Sequence, residues 1–573
     1  MLRARMACFL FMTSALAAAD HYDVTVERGV TMKTRDGVTL RADIYRPKAD
    51  RKFPVLLERT PYNKGDGESV FGNRAAALGY VVVVQDVRGR YTSEGEWYPF
   101  KYESNDGYDT IEWAASLPYA SGKVGMFGAS YVGATQMLAA IAKPPHLSGV
   151  FPIVTASNYH DGWTYQGGAF EQWFNESWTS GLVQDTVDRR MKASSNALQW
   201  IWKLPLTKYP FVDVPAPASL AGYFMDWAQH PDFDDYWKQW SIEDHYANFS
   251  VPAYSVGGWY DIFQGGTIRN YVGLKSRVRG QRLMIGPWYH GPFDGKAGEL
   301  DFGAAGKGDT DTETLRWYDH LLRGIDNGVD REQPVRIYVM GKNVWRSEDD
   351  WPLARARITR YYLHSGGNAN TSGGDGKLSA SAPESEPADR YTYDPANPAP
   401  TRGGGLCCDN DHLPSGAFDQ RPVEERKDVV VYTTPAFSED FEVTGPIAIE
   451  LYASSSAVDT DFTAKLVDVW PNGFAQNLTD GILRARYRNS HARPEPMKSG
   501  EVYKIRIDMW NTSNVFLAGH KLRVDVSSSN FPRFDRNLNT GENAGASSNL
   551  VKAANTIYHD AQHPSALILP VVP

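Results

Sequence analysis

Cysteine is nearly absent from this chain of 573 residues: three occur, one at position 8 and an adjacent pair at 407 and 408. A thiolate metal centre is therefore short of ligands, because His412 is the only imidazole near the pair. There is no basic block either, and 68 acids against 59 bases leave a formal charge of −9, which gives nothing for a nucleic-acid groove to be built from. No apolar run after the first twenty residues is long enough to span a membrane, no phosphate-binding loop is present, and no internal repeat is found. The acidic stretch Asp309-Thr310-Asp311-Thr312-Glu313 lacks the glycine-centred spacing of a dedicated calcium loop and reads as a solvated helix start.

What is present is ordinary globular composition, 42% hydrophobic and 22% charged, with length for two to four domains. The first residues stand apart. Arg3 and Arg5 precede the apolar run Met6 to Met12, and Ala17-Ala18-Ala19 before Asp20 supplies small residues where a signal peptidase reads. A cleaved leader over 1–19 is expected, with a secreted or periplasmic mature protein; an uncleaved tether is the alternative. Cys8 lacks the small following residue of a lipidation site. In an oxidising compartment Cys407 and Cys408 form a vicinal disulfide with an eight-membered ring, or remain as two buried thiols.

Gly128-Ala129-Ser130-Tyr131-Val132-Gly133 carries the strongest chemical signal. A serine hydroxyl becomes a useful nucleophile when it projects from a sharp strand-to-helix turn, and glycine on either side is read as removing β-carbon clashes from that turn. The apolar run Lys123 to Phe127 before it suits a buried strand, and Ala134 to Ala142 after it suits a helix ending before Pro144. Such a serine needs a histidine base, held in turn by a carboxylate. Tyr254 to Asp261 is a strand-like run that ends in glycines and then an acid, and Leu283 to His290 repeats the pattern with a histidine. The order Ser130, Asp261, His290 is that of α/β-hydrolases. Taken singly, the serine can sit in a plain loop, the aspartate can be a solvated acid and the histidine a structural one.

Five ordered motifs together resemble one family. They are Arg59-Thr60-Pro61-Tyr62, Gln85 to Gly89 followed by Ser93 to Trp97, the serine motif at 128–133, Gly258 to Asp261, and Gly286 to His290. In combination they are similar to the CocE/NonD serine hydrolases, the family of cocaine esterase and the X-prolyl dipeptidyl-peptidases. The resemblance implies Ser130 as nucleophile, Asp261 as orienting acid and His290 as general base. It also implies an oxyanion hole made by the Tyr62 hydroxyl and the Tyr131 backbone N–H, where preorganised donors contribute about 3 kcal/mol each. Relatives acting on α-amino acid esters carry acids just after the triad aspartate, whereas here Ile262-Phe263-Gln264-Gly265-Gly266 follows. A neutral acyl group is expected, with Asp161 or Glu171 as the remaining sources of charge. Arg88, Gly89 and Glu94 read as an ion-paired loop bracing the site floor.

The expected fold class is α/β: an α/β-hydrolase core at 24–157 and 247–353, a helical cap at 158–246, and an all-β, jelly-roll-like sandwich at 354–573. Alternating strand-like and helix-compatible runs mark the core. The cap stretch holds Trp163, Trp173, Trp178, Trp200, Trp202, Trp227, Trp237 and Trp240, broken by Pro205, Pro210 and Pro215. Most of these rings are expected to form the cap's own core and the rest to line an apolar pocket. The functional expectation is a serine hydrolase that cleaves small esters, or amides, through an acyl-enzyme, with no cofactor, no nucleic-acid partner and no membrane contact beyond the leader. Enzymatic rivals are an X-prolyl dipeptidyl-peptidase and a β-lactam acylase or α-amino acid ester hydrolase. The non-enzymatic rival is a binding module that has lost catalysis.

Overall fold

The structure is a computed structural model that describes residues 21–65, 67–190, 201–209 and 220–573, and of 184–190 the backbone alone. The expected leader with Cys8, and Trp200, Pro210 and Pro215 of the expected cap, lie outside the described residues.

Ten strands form the central sheet. They are β1 (Val24–Lys33), β2 (Thr39–Pro47), β3 (Phe53–Thr60), β4 (Val81–Asp86), β5 (Ala120–Ala129), β6 (Leu147–Ile153), β7 (Tyr254–Gly258), β8 (Arg282–Gly286), β9 (Val335–Val339) and β10 (Val344–Glu348). Their order is β1-β2-β4-β3-β5-β6-β7-β8-β9-β10. The inner strands β4 to β9 pair in parallel, while β1, β2 and β10 add antiparallel edges. Parallel strands covered on both faces need continuous apolar runs, and Val81 to Val84 are all buried. Helices α1 (Val70–Ala77), α2 (Glu103–Ser116) and α3 (Tyr131–Ile141) occur in the first half of this unit, α6 (Gln264–Leu274) and α7 (Thr310–Leu321) in the second. Met137 and Leu138 of α3 share one core with Ile111 of α2, whereas Leu315 and Tyr318 of α7 share another with Ala75 and Ala76 of α1. The sheet is thus covered on both faces, as the α/β expectation required.

Between β6 and β7 the chain forms α4 (Gln172–Arg190) and α5 (Gly222–Gln229). Trp163, Trp173, Trp178, Trp227, Trp237 and Trp240 are buried there, and Trp202 is 55% exposed. Trp163, Trp178, Trp227 and Trp237 pack on one another in a chain, whereas Trp173 and Trp202 pack with Phe531 of the C-terminal unit. The chain then turns all-β: β11 (Arg357–His364), β12 (Lys377–Ser379), β13 (Asp389–Tyr393), β14 (Val430–Thr433), β15 (Phe441–Ser455), β16 (Asp461–Val469), β17 (Ala475–Arg484), β18 (Tyr503–Phe516), β19 (Lys521–Ser527), β20 (Ala553–Tyr558) and β21 (Ala566–Val572). These form a second sheet in which β15 pairs with β18, β20 and β21. The second unit packs against the chain just after β7, where Gln476 Nε2 donates to the Tyr260 hydroxyl at 2.9 Å, and just after β10, where Trp351 Nε1 donates to Asn511 Oδ1 at 3.2 Å.

Candidate active site

Ser130 is the single residue between β5 and α3, with φ 63° and ψ −126°. A non-glycine residue in that region is strained by about 1–3 kcal/mol, which persists only where the surroundings enforce it. The enforcement is visible: Ser130 N–H donates to Ile153 O at 2.9 Å, and the serine carbonyl accepts from Gly133 and Ala134 at 2.9 and 3.1 Å. Gly128 has φ 124°, and a β-carbon there would lie 2.3 Å from Val132 Cγ1. The two glycines do not share one task, which corrects the reading that both relieve the turn. Gly133 is the third residue after the serine, not the second, and its missing β-carbon lets α3 approach Thr155, whose Cβ would otherwise lie 2.7 Å away.

The neighbour of the serine is anchored from below. The Tyr131 hydroxyl accepts from Phe100 N–H at 2.7 Å and donates to Glu103 Oε1 at 3.1 Å, and Glu103 is ion-paired with the fully buried Arg59. An unpaired carboxylate in this interior would be costly; the arginine and the phenol offset its desolvation. This network anchors the Tyr131 side chain directly after Ser130.

Asp261 lies three residues beyond β7 and His290 four beyond β8, strands that run in parallel with Gly258 beside Gly286. Both loops therefore leave the same edge of the sheet as Ser130 does. Gly258 is required at this point, because a β-carbon would lie 2.2 Å from Trp288 O. His290 Nδ1 is 2.8 Å from Asp261 Oδ1. With the proton on Nδ1 donated to the carboxylate, Nε2 carries the lone pair of a general base. The Asp261 side chain is fully buried and its second oxygen, Oδ2, has no hydrogen-bond partner among the described residues.

Tyr62 follows β3 at the same sheet edge. Its main chain is pinned by Tyr62 N–H to Thr60 Oγ1 at 3.0 Å and by Arg90 Nε to Pro61 O at 2.9 Å. The residue keeps 39% of its surface open, yet its hydroxyl is crowded: it accepts from Trp178 Nε1 at 3.1 Å and interacts with Ser130 and the Tyr131 backbone. Burial is the largest influence and raises the phenol above its usual pKa, so it remains a proton donor at neutral pH.

The surroundings are aromatic and neutral. Phe263 stands edge-on to His290 at 5.2 Å and stacks on Trp163 at 4.4 Å, with Phe174 at 5.3 Å; Trp178 meets Trp163 at 5.7 Å. The two carboxylates considered as charge sources both face arginines, Asp161 facing Arg269 at 3.5 Å and Glu171 facing Arg533 at 3.6 Å. Arg88 pairs with Asp36 and Asp106 rather than with Glu94, whose backbone carbonyl accepts from Gly89 at 2.9 Å. Asp309 caps α7 by accepting from Thr312 N–H at 3.0 Å. Cys407 and Cys408 are joined as a disulfide, and His412 is occupied by Asp409 at 2.8 Å. Trp178, Glu103 and the Leu406-Cys407 segment at Asp261 escaped the sequence reading. Trp178 was one ring among eight in the cap stretch, with nothing in its neighbours to single it out.

Residues 36–292 match the family model described as X-Pro dipeptidyl-peptidase (S15 family), and residues 327–568 that of the X-Pro dipeptidyl-peptidase C-terminal non-catalytic domain. The chain is 39% identical to cocaine esterase of Rhodococcus sp. (strain MB1 Bresler) over 569 residues, covering 96% of this chain and 99% of that one. An aminopeptidase from a marine sediment archaeon, Thaumarchaeota archaeon, superimposes with TM-score 0.80 at 26% identity over 99% of both chains. A CocE/NonD family hydrolase from Staphylococcus aureus shares the fold with TM-score 0.71 at 21% identity, covering 96% of this chain and 94% of that one.

Proposed function

This chain belongs to the CocE/NonD family of serine hydrolases, that of cocaine esterase and the X-Pro dipeptidyl-peptidases, and from that premise we propose that it cleaves carboxylic esters with a neutral acyl group through an acyl-enzyme. The supporting observation is the 2.8 Å contact of His290 Nδ1 with Asp261 Oδ1 at the sheet edge where Ser130 is held in its strained turn.

In the proposed cycle His290 Nε2 takes the Ser130 proton as Oγ attacks the carbonyl carbon. The carbonyl oxygen becomes an oxyanion between the Tyr62 hydroxyl and the Tyr131 N–H. Collapse expels the alcohol, protonated by the imidazolium. Water, deprotonated by His290, then attacks the acyl-enzyme and releases the acid.

A neutral, apolar acyl group is favoured because Phe263 stands against His290 and packs on Trp163 and Phe174, with Trp178 at the Tyr62 hydroxyl, while Asp161 and Glu171 each face an arginine that is shared with a second acid, Glu243 or Asp480. Capture of a substrate ammonium would need an uncompensated anion. The same reading includes export, supported by the leader-like residues 1–19 and by a disulfide of a kind that persists in oxidising compartments; release of the leader is checked by N-terminal sequencing of the mature protein.

The test is hydrolysis of neutral p-nitrophenyl esters, an α-amino acid ester and an X-Pro-p-nitroanilide, beside Ser130→Ala and with fluorophosphonate labelling. Neutral esters are expected to turn over fastest, with activity and labelling lost in Ser130→Ala. Preference for the anilide would make the chain a peptidase; an unlabelled, inactive wild type would return it to a binding module.

A further inference from the structure

The Asp261 carboxylate is fixed on one side only. Oδ1 meets His290 at 2.8 Å, and Oδ2 finds no donor among the described residues. A carboxylate held by one hydrogen bond must be aimed by its backbone, and two things hold that backbone. One is its own turn, with Asp261 N–H to Gly258 O at 3.2 Å and Gln264 N–H to Asp261 O at 3.1 Å. The other comes from the C-terminal unit: Leu406 lies beside Asp261 in a parallel bridge, and Gly405 is so close that a β-carbon would sit 3.2 Å from Asp261 O.

That second support belongs to a loop pinned at its ends by Gly404 N–H to Gly416 O at 2.7 Å and Gly416 N–H to Gly404 O at 3.0 Å. The next two residues after Leu406 are the disulfide pair. Cys407 is 1% exposed, within the core that contains Ile262, Phe263 and Trp163, while Cys408 is exposed and has φ 81°. Closing a ring across a single peptide bond restricts the torsions between the two α-carbons, and so limits how the chain runs from Cys407 into Cys408, directly after the Leu406 bridge.

We propose that the Cys407–Cys408 disulfide is a positioning element for Asp261, seating the 404–416 loop against the aspartate backbone; this rests on the reading of Asp261 as the acid that orients His290. Opening it requires a dithiol. One reductant thiolate attacks the sulfur of Cys408, the exposed residue of the pair, the S–S bond breaks with Cys407 leaving as thiolate, and the second reductant thiol resolves the mixed disulfide. Two protein thiols and one oxidised reductant result, with two electrons transferred. The chain between Leu406 and Cys408 then regains torsional freedom, and the aspartate loses part of its backing.

The experiment uses the full mature protein on a neutral p-nitrophenyl ester, oxidised and after dithiothreitol, with thiol titration to establish reduction. Reduction is expected to lower kcat by about ten-fold, because small misplacements of a catalytic group are costly. It is also expected to move the acid limb of the kcat profile to lower pH, because the imidazolium loses part of its carboxylate partner. Reoxidation restores both, and the Cys407→Ser/Cys408→Ser variant shows the lowered kcat and displaced limb with or without dithiothreitol. The proposal is overturned if fully reduced protein keeps its kcat and its limb, or if kcat falls with the limb unmoved and the melting temperature collapsing, which is loss of fold alone. An oxidised wild type without Ser130-dependent hydrolysis would remove the underlying reading and the proposal together.

Discussion

Replacing Tyr62 by Phe deletes one hydroxyl and leaves the ring. That hydroxyl has an unusual set of neighbours: Trp178 Nε1, which can only donate, lies 3.1 Å away, with Ser130 and the Tyr131 N–H beside it. Because the indole occupies an acceptor lone pair, the phenolic proton is left to point at an incoming oxygen. Loss of one preorganised oxyanion donor costs about 3 kcal/mol, or roughly 100- to 1000-fold in kcat. Trp178→Phe keeps the aromatic packing and deletes the indole donor, so it should cost about one neutral hydrogen bond, ~1 kcal/mol or about five-fold. If Trp178 acts through the Tyr62 hydroxyl, the two losses do not add: in the Tyr62→Phe background Trp178→Phe should change kcat by less than about two-fold. Steady-state kinetics on one neutral p-nitrophenyl ester across the four proteins reads the coupling. Tyr62→Phe within about three-fold of wild type would refute the oxyanion assignment. A full five-fold loss from Trp178→Phe in the double variant would show that the indole shapes the pocket instead.

Gly128→Ala is expected to lose about 2–4 kcal/mol, read as a lowered melting temperature, because φ 124° and a 2.3 Å approach to Val132 penalise it together. His160 is buried with Nε2 at 2.9 Å from Pro231 O and an Nδ1 that has no partner among the described residues, and burial lowers it to about 4. Above pH 6.5 it is neutral folded or unfolded; between 6.5 and 4 the unfolded chain binds a proton that the folded chain refuses. Stability should therefore fall by about 3 kcal/mol across that window relative to His160→Gln, measured by urea unfolding. Glu176 shows the opposite sign: it is 1% exposed, Oε2 has no partner among the described residues, and desolvation raises it to about 8. From pH 4.5 to 8 the unfolded carboxyl loses a proton that the folded one keeps, so Glu176→Gln should gain on wild type as pH rises, by up to about 5 kcal/mol at pH 8. Equal unfolding midpoints for the two proteins at pH 5 and pH 8 would contradict that burial.

The candidate residues were legible because each follows a recognisable element. Ser130 follows an apolar run and precedes helix formers, and Asp261 and His290 each follow a short apolar run closing in glycine. Order along the chain carried the rest, since parallel strands send their following loops to one edge. The first two strands, β1 and β2, were not separated by that reading, because polar and charged residues interrupt both and break the continuous apolar signal of the inner strands. Neither was the help given to each residue from far along the chain. Glu103 aims Tyr131 across 28 positions and Trp178 reaches Tyr62 across 116. Such partners meet through the packing of separate elements, and no local spacing announces them.

The sequence by itself therefore determined the class of fold, the family, the candidate residues for the chemistry and the lack of acids after Asp261, all properties of local pattern and order. Only the tertiary structure decided what those residues face. It set an indole donor on the Tyr62 oxygen, arginines on Asp161 and Glu171, and a disulfide-bearing loop of the all-β unit against the Asp261 backbone. The physical reason is that a side chain's charge state and aim depend on groups within a few ångströms in space, whatever their distance along the chain.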